Sequence, residues 1–169
     1  MPRPLLSRLR PDSITEFRAA ARQRWLDGQA AAAKDRRTAA IYLWGYAAEM
    51  TIKAAYFSLI NLSAAQPLTI ADLSGARNTG INQYQINWPN QGKFHNVAAW
   101  AELLINVRHS SPTIRYADPA FAGEIRSRCR TVSLLWSEQL RYHKNIIYQP
   151  EIDQMEKAVE WLLLQSLQL

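Results

Sequence analysis

Ile41, Gly45, Ala48, Ile52, Ala55, Tyr56 and Leu59 recur at steps of three and four residues. That spacing constrains the fold more than any other feature of the chain, because it lines small and apolar side chains along one face of a helix. Gly45, Ala47 and Ala48 are small enough to let a second helix approach closely, as ridge-into-groove packing requires. Nowhere does the chain carry an alternating apolar run long enough to require a sheet.

The same period marks other helices. Ser13 and Glu16 stand at the capping-box spacing, and Phe17, Ala20, Ala21, Trp25 and Leu26 follow at helical steps. Gly28 weakens this first helix and Ala30 to Ala33 restores its propensity, before a break near Lys34 and Asp35. A third helix is predicted from His95 and Asn96 through Val97, Trp100, Ala101, Leu104 and Ile105 to about Arg108, stopped by Ser110-Ser-Pro. Asp118-Pro119 offers a cap with proline at the first helical position, opening a fourth that carries Phe121, Ile125, Val132, Leu135 and Trp136 to about Tyr142. A fifth begins at Pro150-Glu151, with Ile152, Met155, Val159, Leu162 and Leu163 inward. Its early acids Glu151, Asp153 and Glu156 suit the positive end of the helix. Between the second and third helices, residues 63–94 hold Pro67, Gly75, Gly80, Pro89 and Gly92 among four asparagines. This stretch reads as a long loop, either with a role of its own or as a mobile insertion, in which only Leu68 to Leu73 suggests a helical turn. The expectation is an all-α, single-domain, up-and-down bundle of four to five helices over residues 13–169, preceded by a short basic segment over 1–12.

A chain of 169 residues fits one domain, and 48% hydrophobic content argues against disorder. No apolar run reaches the ~18 residues that span a bilayer, and the charged N-terminus lacks the apolar core of a signal peptide. A lone Cys129 forms no internal disulfide. These features predict a cytoplasmic protein with no membrane partner. The net charge of +6 comes with arginines in three groups: Arg3, Arg8 and Arg10; Arg18, Arg22, Arg24, Arg36 and Arg37; and Arg126, Arg128 and Arg130. Such charge suits a phosphate-bearing or acidic partner, or simply forms a solvated face.

Several chemistries are discounted directly. The chain has no glycine-rich phosphate loop, no cysteine pair and no helical histidine pair, so neither a metal site nor a cofactor is predicted. His95, His109 and His143 lie on three different segment ends. Cys129 has no base near it in sequence and reads as a small packed residue rather than a nucleophile. Two groups remain. Glu49 and Lys53 are four apart in the order that favours a helical ion pair, at the edge of the apolar stripe. Arg141, Tyr142, His143, Lys144 and Asn145 follow the fourth helix, where the cations either surround a phosphate beside a stacking tyrosine or satisfy the helix end.

Ala39 to Ala55, Ala-Ala-Ile-Tyr-Leu-Trp-Gly-Tyr-Ala-Ala-Glu-Met-Thr-Ile-Lys-Ala-Ala, resembles the signature helix of the HEPN domain family. Phe94-His95-Asn96 is similar to that family's His-Asp-Leu helix start, and Trp136 to Tyr142 to its Trp-x-x-x-x-Arg-Tyr segment. The resemblance covers roughly residues 15 to 165. It implies a bundle of four or five helices, frequently a homodimer, often paired with a nucleotidyltransferase-type protein. Many members are metal-independent ribonucleases or toxins of toxin–antitoxin pairs, in which an arginine precedes a histidine by roughly four to six residues. Here only Tyr142 separates Arg141 from His143. The expectation is therefore a HEPN-like protein that binds RNA, a nucleotide or a partner protein with weak or no catalysis. Arg141, Tyr142, His143, Lys144 and Asn145 would line its site, with Glu49 and Lys53 close by. The rival is a metal-independent ribonuclease with His143 as base and Arg141 at the phosphate. A third reading is a dimerising module anchored by Trp44, Trp100 and Trp161, residues that otherwise belong to the core.

Overall fold

The structure is a computed structural model that describes residues 11–90, 94–111 and 118–169. Residues 1–10 of the expected basic segment, with Arg3, Arg8 and Arg10, lie outside the described residues. Six α-helices follow one another: α1 (Ile14–Ala32), α2 (Arg37–Leu59), α3 (Ile70–Asn82), α4 (Val97–Ser110), α5 (Pro119–Leu135) and α6 (Gln149–Leu164). A 3-10 helix, Glu138–Tyr142, lies between α5 and α6. No strand occurs among the described residues, and none of their helices is long and apolar enough to cross a membrane.

α2 is the axis. It packs against α1, α4, α6 and the 3-10 helix, while α5 bridges α4 and α6. The expected stripe is buried from Ile41 to Tyr56, but so are Thr38, Ala47, Thr51, Ala54 and Phe57 on its other sides. A helix that is apolar on all sides is stable only when surrounded, and the other helices assemble around this one.

Two glycines admit large rings. A Cβ on Gly28 would overlap the Trp44 indole, which reaches across to donate its N–H to the Trp25 carbonyl at 3.3 Å. The glycine that weakens α1 as a helix is therefore what lets α1 and α2 close. A Cβ on Gly45 would overlap Trp136, whose indole N–H donates to the Tyr42 carbonyl at 3.1 Å.

Ser13 caps α1 by accepting from the Glu16 amide at 3.1 Å. Asn96 caps α4 through the Ala99 amide at 2.8 Å, and Asp118 caps α5 with Pro119 behind it. Trp44 and Trp100 are wholly buried, so neither offers a partner any surface; Trp161 is half-buried and packs on Phe121 with ring centroids 5.5 Å apart. Cys129 is wholly buried, and burial pushes its thiol above the ordinary range.

The structure departs from the expected layout in two places. The segment read as a loop contains α3, which brings the count to six α-helices rather than four or five. α3 opens on a capping box: the Thr69 hydroxyl accepts from the Asp72 amide, and Asp72 accepts from the Thr69 amide at 2.7 Å. It buries only Ala76 and Gly80, the latter against Trp88, which is why no apolar stripe announces it. The second departure is at α5, which ends at Leu135 rather than near Tyr142. Trp136 leaves helical geometry (φ −123°, ψ 137°) to enter the notch at Gly45, and Ser137 then caps the 3-10 helix through the Gln139 amide.

Candidate functional site

Glu49 and Lys53 lie one turn apart on the buried axis, and their side chains are only 4% and 5% exposed. They form a direct ion pair, and the Lys53 ammonium also lies 5.3 Å from the centre of the Trp100 ring. A carboxylate this deep needs more than one partner. The other is His95, just ahead of α4, whose Nδ1 lies 3.0 Å from Glu49 Oε2. The second ring nitrogen, Nε2, faces Glu138 Oε2 of the 3-10 helix at 3.5 Å. Three segments distant in sequence thus meet at one imidazole. The Glu49 hydrogen bond raises the His95 pKa against opposition from burial, while the Lys53 charge lowers it and Glu138 raises it.

An aromatic wall encloses this histidine. Tyr46 and Trp136 meet its ring nearly edge-on, with centroids 6.1 and 6.5 Å away. Tyr46 in turn stands 5.1 Å from Tyr42 and is hydrogen-bonded to it. Burial, with that bond second, pushes the Tyr46 hydroxyl well above its ordinary range. Farther along the 3-10 helix, the Arg141 guanidinium lies 4.7 Å over the ring of Tyr142. A row of contacts therefore runs from the buried Glu49–Lys53 pair through His95 and Tyr46 to Tyr42.

Comparison of the chain with protein-family models, with curated proteins and with solved structures finds no match.

The expected site residues divide between two places. Among the described residues no hydrogen bond or ion pair joins Arg141 or His143 to Glu49 or Lys53, and the expectation that they share a hollow is not met. His143 lines a separate cleft of about 390 Å³ with Asp35, Arg36, Thr38, Ala39, Lys144 and Asn145. The cause is local backbone. The 3-10 helix ends at Tyr142, and His143 continues with extended backbone (φ −106°, ψ 147°) toward the start of α2. Arg141 and His143 consequently meet different neighbours.

Asn145 has a different task from the one expected of it. Its Oδ1 accepts from the Thr38 amide at 3.1 Å and its Nδ2 donates to the Asp35 carbonyl at 2.9 Å. The residue at the N-cap of α2, Arg36, supplies no side-chain cap, so Asn145 caps the central helix from 107 residues away. The Thr38 hydroxyl completes the clasp by accepting from the Ile146 amide at 3.0 Å.

Sequence reasoning did not foresee His95, Tyr46 and Glu138 as a group. Each nevertheless lies in one of the three segments quoted above: Tyr46 in Ala39 to Ala55, His95 in Phe94-His95-Asn96 and Glu138 in Trp136 to Tyr142. Among the described residues no cluster of three or more histidines, cysteines or acids is arranged to hold a metal ion.

Proposed function

We propose that this chain is a HEPN-like protein that binds RNA or a nucleotide, with weak catalysis or none. The observation that carries the reading is the cleft at the start of α2, where Arg36, His143 and Lys144 gather beside the exposed Arg141–Tyr142 stack. Among the described residues neither Arg36 nor Lys144 has an acidic partner within 4 Å, whereas Arg37 is held by Asp35 at 2.7 Å. Tyr142, stacked under Arg141 and two residues before Lys144, is 75% exposed and offers a flat surface close to these cations in the chain. Exposed rings interleaved with unpaired cations suit a single-stranded nucleic acid, whose bases stack while its phosphates are neutralised.

The ribonuclease reading requires Arg141 and His143 to act on one phosphate, and their separate surroundings do not favour it. Pairing with a nucleotidyltransferase-type protein and homodimerisation remain proposals carried by the family resemblance alone.

The test is binding of fluorescent single-stranded RNA in EDTA. Affinity that falls steeply with salt and without cleavage supports the proposal, and Arg36→Ala/Lys144→Ala weakens it. Cleavage in EDTA that His143→Ala abolishes establishes the ribonuclease instead. Absence of binding at low salt rejects both.

A further inference from the structure

An imidazole set between two carboxylates is satisfied in only one charge state. His95 turns Nδ1 to Glu49 at 3.0 Å and Nε2 to Glu138 at 3.5 Å. A neutral ring carries one N–H and one lone pair, so it serves one carboxylate and points a lone pair at the other, whereas the imidazolium donates to both. The two acids differ in what they lose. Glu49 is buried, and an interior carboxylate keeps its donor at the expense of one that can turn to water, as the 37%-exposed Glu138 can. Loss of the proton is therefore felt at Glu138.

The 3-10 helix that carries Glu138 is lightly held. None of its residues is buried, and only Leu140 packs in part against the core. Among the described residues, the contact with His95 is the one ion pair between this helix and the rest of the chain. Firmer attachments lie at either end. Before the helix, the Trp136 ring sits in the Gly45 notch and donates to the Tyr42 carbonyl; after it, Asn145 bonds to Asp35 and Thr38. Residues 137–144 are slung between these two points, and they include Arg141, Tyr142, His143 and Lys144.

We propose that His95 is a pH-sensitive latch, which as the imidazolium ties the 3-10 helix to α2 through Glu49 and Glu138 and on losing its proton frees the span between Trp136 and Asn145. Segments with few buried groups open locally at low cost, so one contact is enough to shift this one. Glu49, Lys53 and Tyr46 on α2 and Glu138 on the 3-10 helix are the titratable groups that face the ring. Glu49 above all, and Glu138 after it, raise the His95 pKa, while burial and Lys53 lower it; the net rise places the opening above the ordinary value of about 6.5. The Tyr46 hydroxyl, pushed far up by burial, stays neutral throughout. A consequence for ligand rests on the nucleic-acid reading above. The freed span carries the Arg141–Tyr142 stack and the His143 and Lys144 wall of the cleft, so RNA binds best with the latch closed, when this wall needs no ordering.

The experiment follows the His95 ring nitrogens of the full chain by NMR across a pH titration. At each pH it also measures trypsin cleavage after Arg141 and Lys144, relative to a short peptide of the same sequence. Relative cleavage is expected to rise about fivefold as His95 loses its proton, the effect of one partly exposed ion pair. Glu138→Gln offers an amide that pairs with either form of the ring, so its cleavage is expected not to follow the titration. Glu124→Gln makes the same charge change at an exposed acid paired with Arg128 and keeps the wild-type response. His143→Gln keeps it too, which separates the latch from the histidine inside the span. Circular dichroism confirms that each variant folds. The inference is overturned if His95 holds its proton wherever the chain stays folded, if cleavage ignores its titration, or if Glu138→Gln responds as the wild type does. Single-stranded RNA at fixed ionic strength, in the His143→Gln background, then tests the consequence. Affinity that falls about fivefold over the same titration, and does so no longer when Glu138→Gln is added, supports control of binding, and affinity indifferent to His95 overturns that control. If RNA fails to bind at every pH while cleavage follows His95, the proposed function falls and the latch stands.

Discussion

Lys53 is almost wholly buried, and its partner Glu49 has a second cation beside it in His95. Replacing Lys53 with methionine leaves a buried carboxylate that His95 alone must neutralise. Breaking a buried pair usually costs about 3–5 kcal/mol, and the remaining imidazolium places this case near the lower end. Urea denaturation is expected to show that loss for Lys53→Met, with partial recovery in Glu49→Gln/Lys53→Met. The same substitution removes a charge that lowers the His95 pKa, so the histidine is expected to titrate at still higher pH, as NMR reads directly. The sign of the stability effect follows from linkage. The folded pKa of His95 is raised above its unfolded value of about 6.5, so its contribution is complete below that pH and is lost as pH rises through the folded pKa. Wild-type stability should therefore decline on the alkaline side of about 6.5, and His95→Gln should flatten that part of the profile.

At the scale of the elements, two glycine-to-alanine changes should have opposite signs. Gly75 lies inside α3 with open space where a Cβ would go, so alanine there should stabilise by about 0.5–1 kcal/mol through helix propensity. Alanine at Gly45 meets the Trp136 ring and puts at risk its hydrogen bond to Tyr42, for an expected loss of about 1–3 kcal/mol. Thermal unfolding of the two variants checks both. These glycines also show what could be read from the sequence and what could not. Periodicity and caps located five helices, because an apolar stripe and a Ser or Asp cap are properties of neighbouring residues. α3 escaped because its amides and glycines bury almost nothing, although Thr69 and Asp72 stood at capping-box spacing. The role of Gly45 as a socket for a ring 91 positions away was not legible, since it arises only when α5 ends early. Likewise Glu49 and Lys53 could be paired by helix geometry, but His95 joins them across 46 residues. The end of helical structure near Tyr142 was legible, but the cleft of His143 and Lys144 also needed Asn145 to reach back to Asp35 and Thr38, more than 100 residues away.

For the whole molecule, net charge is a poor guide to where an anion goes, because four of the eight described arginines in the basic groups of the sequence are paired locally with acids. Arg126 is held bidentately by Glu102, Arg128 by Glu124, Arg24 by Asp27 and Arg37 by Asp35. Such pairs contribute little net field, so the long-range attraction comes from the cations left over. Arg36 and Lys144 are two of these and line one cleft, whereas Arg130 stands exposed on α5. If single-stranded RNA docks at the cleft, each of the two releases counterions on binding, and their joint removal should reduce the slope of log affinity against log salt by about 1.4. Arg130→Ala carries the same loss of charge per residue but should leave the slope unchanged. Affinity measured from low to high salt for Arg36→Ala/Lys144→Ala and for Arg130→Ala separates a located interface from a diffuse one. A uniform drop in slope for every arginine removed would mean that overall charge, rather than the cleft at the start of α2, attracts the nucleic acid.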